Sequence, residues 1–143
     1  MKACENYGYV TKEEAQNIQS TSDILIVLAW NTNEEQGILT GKFLEYLPIA
    51  KPLIALTSGN LSSGELTEMI NSIQLGIACE YNRYTEDRDR LKAYVLNQYN
   101  RKISGHNLAY NGNPESINAF AYSNIVYQLN RSLLELVEGR PKV

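Results

Sequence analysis

A lysine in the first turn of a helix, with a glutamate one turn further on, is the pair of residues in this sequence with the most chemistry in it. Thr40-Gly41-Lys42 opens a helical pattern that carries Glu45 three positions beyond the lysine, and no acidic residue stands in that first turn. A cation at a helix N-terminus faces the positive end of the macrodipole, which costs at least a few tenths of a kcal/mol unless an anion sits between them. Free N–H groups, a glycine that lets a ligand approach and a lysine together make a phosphate site. Glu45 could then accept hydrogen bonds from sugar hydroxyls, as acidic residues do for ribose in other nucleotide folds. A second reading needs no ligand: Lys42 bends to solvent or pairs with Glu45 at i,i+3. The residues by themselves leave both readings open.

Other residues that resemble chemical signatures do not qualify. Thr40-Gly41-Lys42-Phe43 is not a Walker loop, because Gln36 stands five before Gly41 and Phe43 follows the lysine where Ser or Thr is needed. Asp87-Arg88-Asp89 spells D-x-D, yet in a helical pattern residues two apart point about 200° apart and cannot readily grip one cation. His106 is the sole histidine and stands in a polar stretch. No serine, cysteine and histidine arrangement suggests a nucleophilic triad.

The elements that must position these residues follow from the hydrophobic pattern. Thr11 with Glu14 forms a capping box opening a helix to about Ser20, and Asp23 to Trp30 reads as a strand. Its apolar residues run continuously, the pattern of burial on both faces of a parallel sheet. After a polar loop from Asn31 to Leu39 comes the helix Thr40 to Leu47, closed by Pro48, then a strand from Pro52 to Thr57. A second capping box, Ser62 to Glu65, predicts a helix to Leu75 that Gly76 ends in the left-handed conformation, and Gly76 to Glu80 reads as a third strand. Strand, helix, strand, helix, strand is the α/β order. Helices are expected between Arg83 and Lys102 and from Asn113 to Glu138, the latter with Pro114 in its first turn and Gly139 and Pro141 beyond its end. In open α/β sheets ligands bind beyond the carboxyl ends of the strands, which nominates Trp30 to Thr40, Thr57 to Ser63 and Glu80 to Asn82.

Composition sets the outer limits. The chain has 143 residues, 43% of them hydrophobic and 20% charged, as one globular domain would. Its net charge of -3 argues against a protein built to bind nucleic acid. Residues 83–143 are mildly basic, read as a solvated helix face. The apolar run from Ile24 to Trp30 is too short to span a bilayer, and no secretory signal follows Met1, so a cytoplasmic location is expected. Cys4 and Cys79 form no C-x-x-C pair and are expected to be reduced and packed.

The block from Ser22 to Leu28, with Gly37-Ile38-Leu39-Thr40-Gly41-Lys42-Phe43-Leu44-Glu45-Tyr46-Leu47 and Lys51-Pro52-Leu53-Ile54-Ala55-Leu56, resembles the nucleotide-sugar-binding half of GT-B glycosyltransferases of the group 1 (family four) type. Tyr7 to Glu14 looks like the short strand and helix that precede this block in the family, and Glu65 to Ile77 like the helix and strand that follow. The resemblance covers residues 4–82 well and the last helix only generally. It implies a Rossmann-like α/β/α fold with three layers and a mostly parallel sheet, an incomplete C-terminal donor-binding domain over residues 1–143. Thr40, Gly41 and Lys42 would approach the donor diphosphate. Glu45 matches the second of two family glutamates, the one associated with the ribose. The first would stand eight positions earlier, where this chain has Gly37, the variant seen in a G-x-x-T-G-K-x-x-E subgroup.

The implied activity is transfer of a sugar from a nucleotide-diphosphate-sugar donor to a glycan, lipid-linked or small acceptor. Lys42, Glu45 and the helix N–H groups would act electrostatically on the leaving diphosphate, with no metal or other cofactor required. The acceptor would be bound by a separate N-terminal domain, and the full-length enzyme would be cytoplasmic or peripheral at the membrane. The family's leading strand-helix units have no counterpart here, so the chain is expected to be a fragment, inactive alone and prone to self-associate through an open sheet edge. A nucleotide-sugar epimerase or isomerase of the same fold and a non-catalytic α/β binding module are the alternatives. A receiver-like signalling domain fits poorly, since the first strand ends at Trp30-Asn31 and not at an aspartate.

Overall fold

Three parallel strands carry the architecture. The computed structural model describes residues 4–137. Helix α1 (Lys12–Thr21) leads to β1 (Leu25–Trp30), α2 (Gly41–Tyr46), β2 (Leu53–Ser58), α3 (Glu65–Ile73), β3 (Gly76–Glu80) and α4 (Tyr84–Ile103). Two further helices, α5 (Pro114–Asn118) and α6 (Tyr122–Val137), complete the described chain. The sheet order is β1-β2-β3, with Leu25 opposite Leu53 and Leu53 opposite Gly76. This is the α/β class with an all-parallel sheet, consistent with a Rossmann-like α/β/α arrangement.

Side-chain alternation divides the strands between two cores. On one face Leu25, Val27, Leu53, Ala55 and Ala78 pack against Phe43 of α2 and Leu66, Ile70 and Ile73 of α3. On the other, Ile54, Ile77 and Cys79 meet Leu91 and Tyr94 of α4. The sheet therefore lies between two helical layers. β2, the central strand, is buried on both faces, as the parallel-sheet pattern predicts. β1 departs from that expectation. Its burial strictly alternates, and Ile26, Leu28 and Trp30 remain 54%, 65% and 42% exposed. Two rows cross the sheet on this face, Ile26-Ile54-Ile77 and Leu28-Leu56-Cys79. α4 packs against β3 and leaves the β1 end of both rows bare.

The helix ends show which local signals governed. Thr11 and Glu14 make the full reciprocal capping box at α1. Asn113 caps α5 by accepting from the N–H groups of Glu115 and Ser116, with Pro114 at its first position. The Ser62 to Glu65 box does not form. Gly64 is the cap residue of α3, and no side chain of its own segment bonds there. Gln74, not Gly76, ends α3 in the left-handed conformation, at φ 61°. Gly76 serves a different need: a Cβ there would lie 2.0 Å from the Leu53 carbonyl oxygen. The short strand expected at Tyr7 to Val10 is absent, and that segment is exposed coil. The single helix expected from Asn113 to Glu138 is two helices. Phe120 packs against the first core between them, and the Asn124 amide donates to the Asn118 carbonyl at 2.7 Å, closing off α5. Glu138, Gly139 and Pro141 lie outside the described residues. Among those described, no helix is long and apolar enough to cross a membrane.

The long connection after α4 is held by one buried amide. Gln98, 1% exposed, donates to the Ala109 carbonyl and accepts from the Ala109 N–H, both at 2.8 Å. This delivers Tyr110 to the first core and lets the Asn113 N–H reach the Ile73 carbonyl at 3.0 Å.

Cys79 is buried, as expected, but Cys4 is exposed and not packed. Burial pushes the Cys79 thiol above its ordinary value of 9.0, and the nearby Asp87 charge adds to this. A raised native pKa means that the folded chain holds this proton more tightly than the unfolded one. The associated stability is present below about pH 9 and is lost as pH rises further. An alkylating reagent at pH 8 should label Cys4 rapidly and Cys79 only on unfolding, read by mass spectrometry with and without urea. Gly76→Ala should destabilise the chain by about 1–3 kcal/mol or more, because backbone must move to admit the methyl group. Gly41→Ala, with no atom within 4 Å of the new Cβ, should instead be neutral or stabilising by up to about 1 kcal/mol. Urea unfolding of both variants checks the contrast.

Candidate functional site

The connections at the carboxyl ends of the strands meet through two buried polar residues. Asn31, 6% exposed, donates its backbone N–H to the Ser58 carbonyl at 2.8 Å and accepts from the Leu61 N–H at 3.2 Å. The chain must pass close by at Gly59, where a Cβ would stand 2.1 Å from the Asn31 carbonyl oxygen. Glu80, 4% exposed, ends β3. Its carboxylate accepts from the Ser63 and Gly64 N–H groups at 3.1 Å each and from the Thr67 hydroxyl at 2.8 Å. The Glu80 N–H in turn donates to the buried Asp87 carboxylate at 2.7 Å, and Asp87 pairs with Arg90.

This arrangement distinguishes the two helix starts that could receive an anion. The start of α3 already holds the protein's own carboxylate, so its dipole is satisfied internally. The start of α2 has no such group. Thr40, its cap residue, makes no side-chain bond, and the first turn holds no acid. The Thr40 hydroxyl oxygen is buried and has no partner, and the space in front of Gly41 is open.

Lys42 and Glu45 project from the same helix and bond to each other at 2.6 Å, both side chains more than half exposed. The hydrogen bond that Lys42 donates to Glu45 raises the Lys42 pKa above its ordinary value, and the small loss of hydration opposes this. Exposed pairs of this kind contribute roughly 0.2–1 kcal/mol. The two residues line an open groove of about 830 Å³ between α2 and α1, with Lys12, Gln16 and Asn17 opposite. Gly37 is not in this groove. It turns with φ 68° against the start of α3, where a Cβ would stand 3.1 Å from a Glu65 carboxylate oxygen. The structure thus keeps Thr40, Gly41, Lys42 and Glu45 on one short helix and directs Gly37 to its neighbour.

The D-x-D carboxylates and the histidine have separate surroundings. Asp87 is buried in the Glu80 network, while Asp89 is exposed and pairs with Arg88 at 3.0 Å, so the D-x-D carboxylates share nothing. His106 is exposed in the loop after α4. Among the described residues, no three His, Cys, Asp or Glu side chains gather as a metal would require.

Sequence reasoning missed the Glu80–Asp87–Arg90 network and the groove beside it. The groove, about 440 Å³, lies on the α4 face of the sheet between Leu28, Leu56, Tyr84 and Leu91. Thr57, 5% exposed, borders it, and its hydroxyl has no partner. A glutamate closing the apolar run Gly76 to Cys79 was the available signal, since an acid at the end of a buried strand needs donors.

Glu80→Gln should cost about 1–3 kcal/mol in urea unfolding, because an amide offers one acceptor oxygen to three donors and turns an N–H₂ toward one of them. Glu45→Gln, at an exposed pair, should shift stability by less than about 1 kcal/mol in the same assay. Comparison of the chain with protein-family models, with curated proteins and with solved structures finds no significant match.

Proposed function

We propose that this chain is the donor-binding part of a sugar transferase, taking a nucleotide-diphosphate sugar at the start of α2. The observation that carries the reading is the contrast between the two helix starts. α3 is filled by Glu80, whereas α2 offers uncapped N–H groups, an open approach at Gly41 and a lysine where the dipole disfavours one. The order of Gly37, Thr40-Gly41-Lys42, Glu45 and the Lys51-Pro52 strand, with its likeness to the group 1 glycosyltransferases, supports the same substrate class.

In this reading the Lys42–Glu45 pair is the resting state of the site. A diphosphate replaces Glu45 as the partner of Lys42, and the freed carboxylate accepts hydrogen bonds from the ribose. During transfer the lysine and the helix N–H groups stabilise charge that grows on the leaving diphosphate as the glycosidic bond breaks. In the family's enzymes the acceptor is held by a second domain, so donor binding is the step assigned to these residues.

Binding of UDP, GDP, uridine and inorganic pyrophosphate, followed by calorimetry and by amide chemical shifts, tests the reading. The diphosphates should bind and uridine should not, with shifts centred on residues 37–45. Lys42→Ala should weaken every diphosphate about tenfold and leave stability unchanged or slightly raised. Glu45→Gln should weaken the nucleoside diphosphates by about tenfold or more, hydrogen bonds to charged groups contributing about 1.5–3 kcal/mol, and pyrophosphate much less. Unchanged affinity in both variants, or shifts confined to residues 83–143, would leave Lys42 and Glu45 as an exposed ion pair and overturn the assignment.

A further inference from the structure

β1 is an edge strand without the features that usually protect edges. Its sequence, Leu25-Ile26-Val27-Leu28-Ala29-Trp30, contains no charge and no proline, and its register with β2 runs unbroken from end to end. The Leu25 N–H reaches the Pro52 carbonyl at 3.0 Å and the Asn31 N–H reaches the Ser58 carbonyl at 2.8 Å. Strand alternation therefore directs the backbone groups of residues 25, 27, 29 and 31 toward β2 and those of Ile26, Leu28 and Trp30 outward. Among the described residues no strand or loop pairs with these outward N–H and C=O groups. The same three residues carry the exposed apolar side chains on the α4 face.

We propose that this edge pairs with β1 of a second copy of the chain, antiparallel, about a two-fold axis at Leu28. The outward residues are spaced symmetrically about that position. A two-fold there places Leu28 opposite Leu28 of the second copy and Ile26 opposite Trp30, each pair exchanging both N–H···O bonds, so every outward group is used. A slip of one residue would set outward groups against inward ones. On the exposed face the side chains then meet as Leu with Leu and Ile with Trp, apolar cross-strand pairs of the stabilising kind. The strand holds no charge that would repel an identical partner. Contact through one strand lies at the small end of the interface scale, below the ~1,200 Å² of standard stable complexes, so monomer and dimer exchange with concentration. The pairing joins two three-stranded sheets into one of six strands. It stands independently of any ligand at α2.

Engineered cysteines read the register. Opposed residues in such a pair have Cα atoms about 5.5 Å apart, within the span of a disulfide. In a Cys4→Ser background, mild oxidation of Leu28→Cys should give a covalent dimer on a non-reducing gel. Ile26→Cys and Trp30→Cys should each remain monomeric alone and cross-link when mixed. Light scattering of the unmodified chain should show mass rising above 16.1 kDa with concentration. Leu28→Lys, at a side chain 65% exposed, should keep its far-UV spectrum and remain monomeric.

A folded Leu28→Cys chain that fails to cross-link would overturn the proposal, as would self-linking of Ile26→Cys equal to its linking with Trp30→Cys. So would a monomer at several hundred micromolar. Loss of the dimer in Leu133→Lys but not in Leu28→Lys would place the interface on α6 instead.

Discussion

The carboxylate of Glu80, buried at the end of β3, ties together the elements around the carboxyl edge of the sheet. It accepts from the Ser63 and Gly64 N–H groups just ahead of α3, and through the bond from its own N–H to Asp87 it fixes where α4 begins. Taking a carboxylate out of water costs several kcal/mol. Three donors aimed at it, one of them on α3 itself, offset that cost only in a single geometry. The network thus acts mainly on uniqueness, since a shift of α3 or α4 along the sheet would strand a buried charge. Asn31 performs the matching task for β1 with neutral bonds, which is why the Ser58 to Gly64 loop passes so close to it.

The same constraint bears on the candidate site. Parallel strands with helical crossovers present several helix N-termini along one edge, and each is a potential anion site. Glu80 removes α3 from that set. α2 remains open because its cap position holds a threonine whose hydroxyl finds no partner and its first turn holds a lysine in place of an acid. Selectivity for a diphosphate would then arise as much from the helix start that is closed as from the one left open.

Coverage of the sheet is uneven, and this shapes how the molecule meets others. α2 and α3 cover one face from β1 to β3, and α4 covers the opposite face over β3 and β2 only. The bare end of that face coincides with the unpaired edge of β1, so backbone and apolar surface are exposed at one place. α6 adds a second uncovered surface, with Tyr122, Val126, Leu129 and Leu133 at helical spacing and all exposed.

Local sequence was enough for the class and order of elements. Continuous apolar runs at Leu25 to Trp30 and Leu53 to Thr57 and the Thr11–Glu14 box each act within a few residues and gave the elements they predicted, while Asn113-Pro114 gave the helix start but not its length. The i,i+3 spacing of Lys42 and Glu45 likewise sufficed for their contact. What lay beyond local reach was decided by tertiary packing. The run in β1 could not reveal which of its faces a helix would cover, because that depends on how far α4 extends across the sheet. Ser62 lost its capping role to Glu80, a charged acceptor 18 positions away whose two oxygens bind donors more strongly than one hydroxyl can. Gly76 was read as a helix terminator, yet its need for a bare Cα comes from Leu53 on the neighbouring strand. Phe120 ended a helix that propensity would have continued, since packing its partly buried ring against the core outweighs one turn of backbone hydrogen bonds.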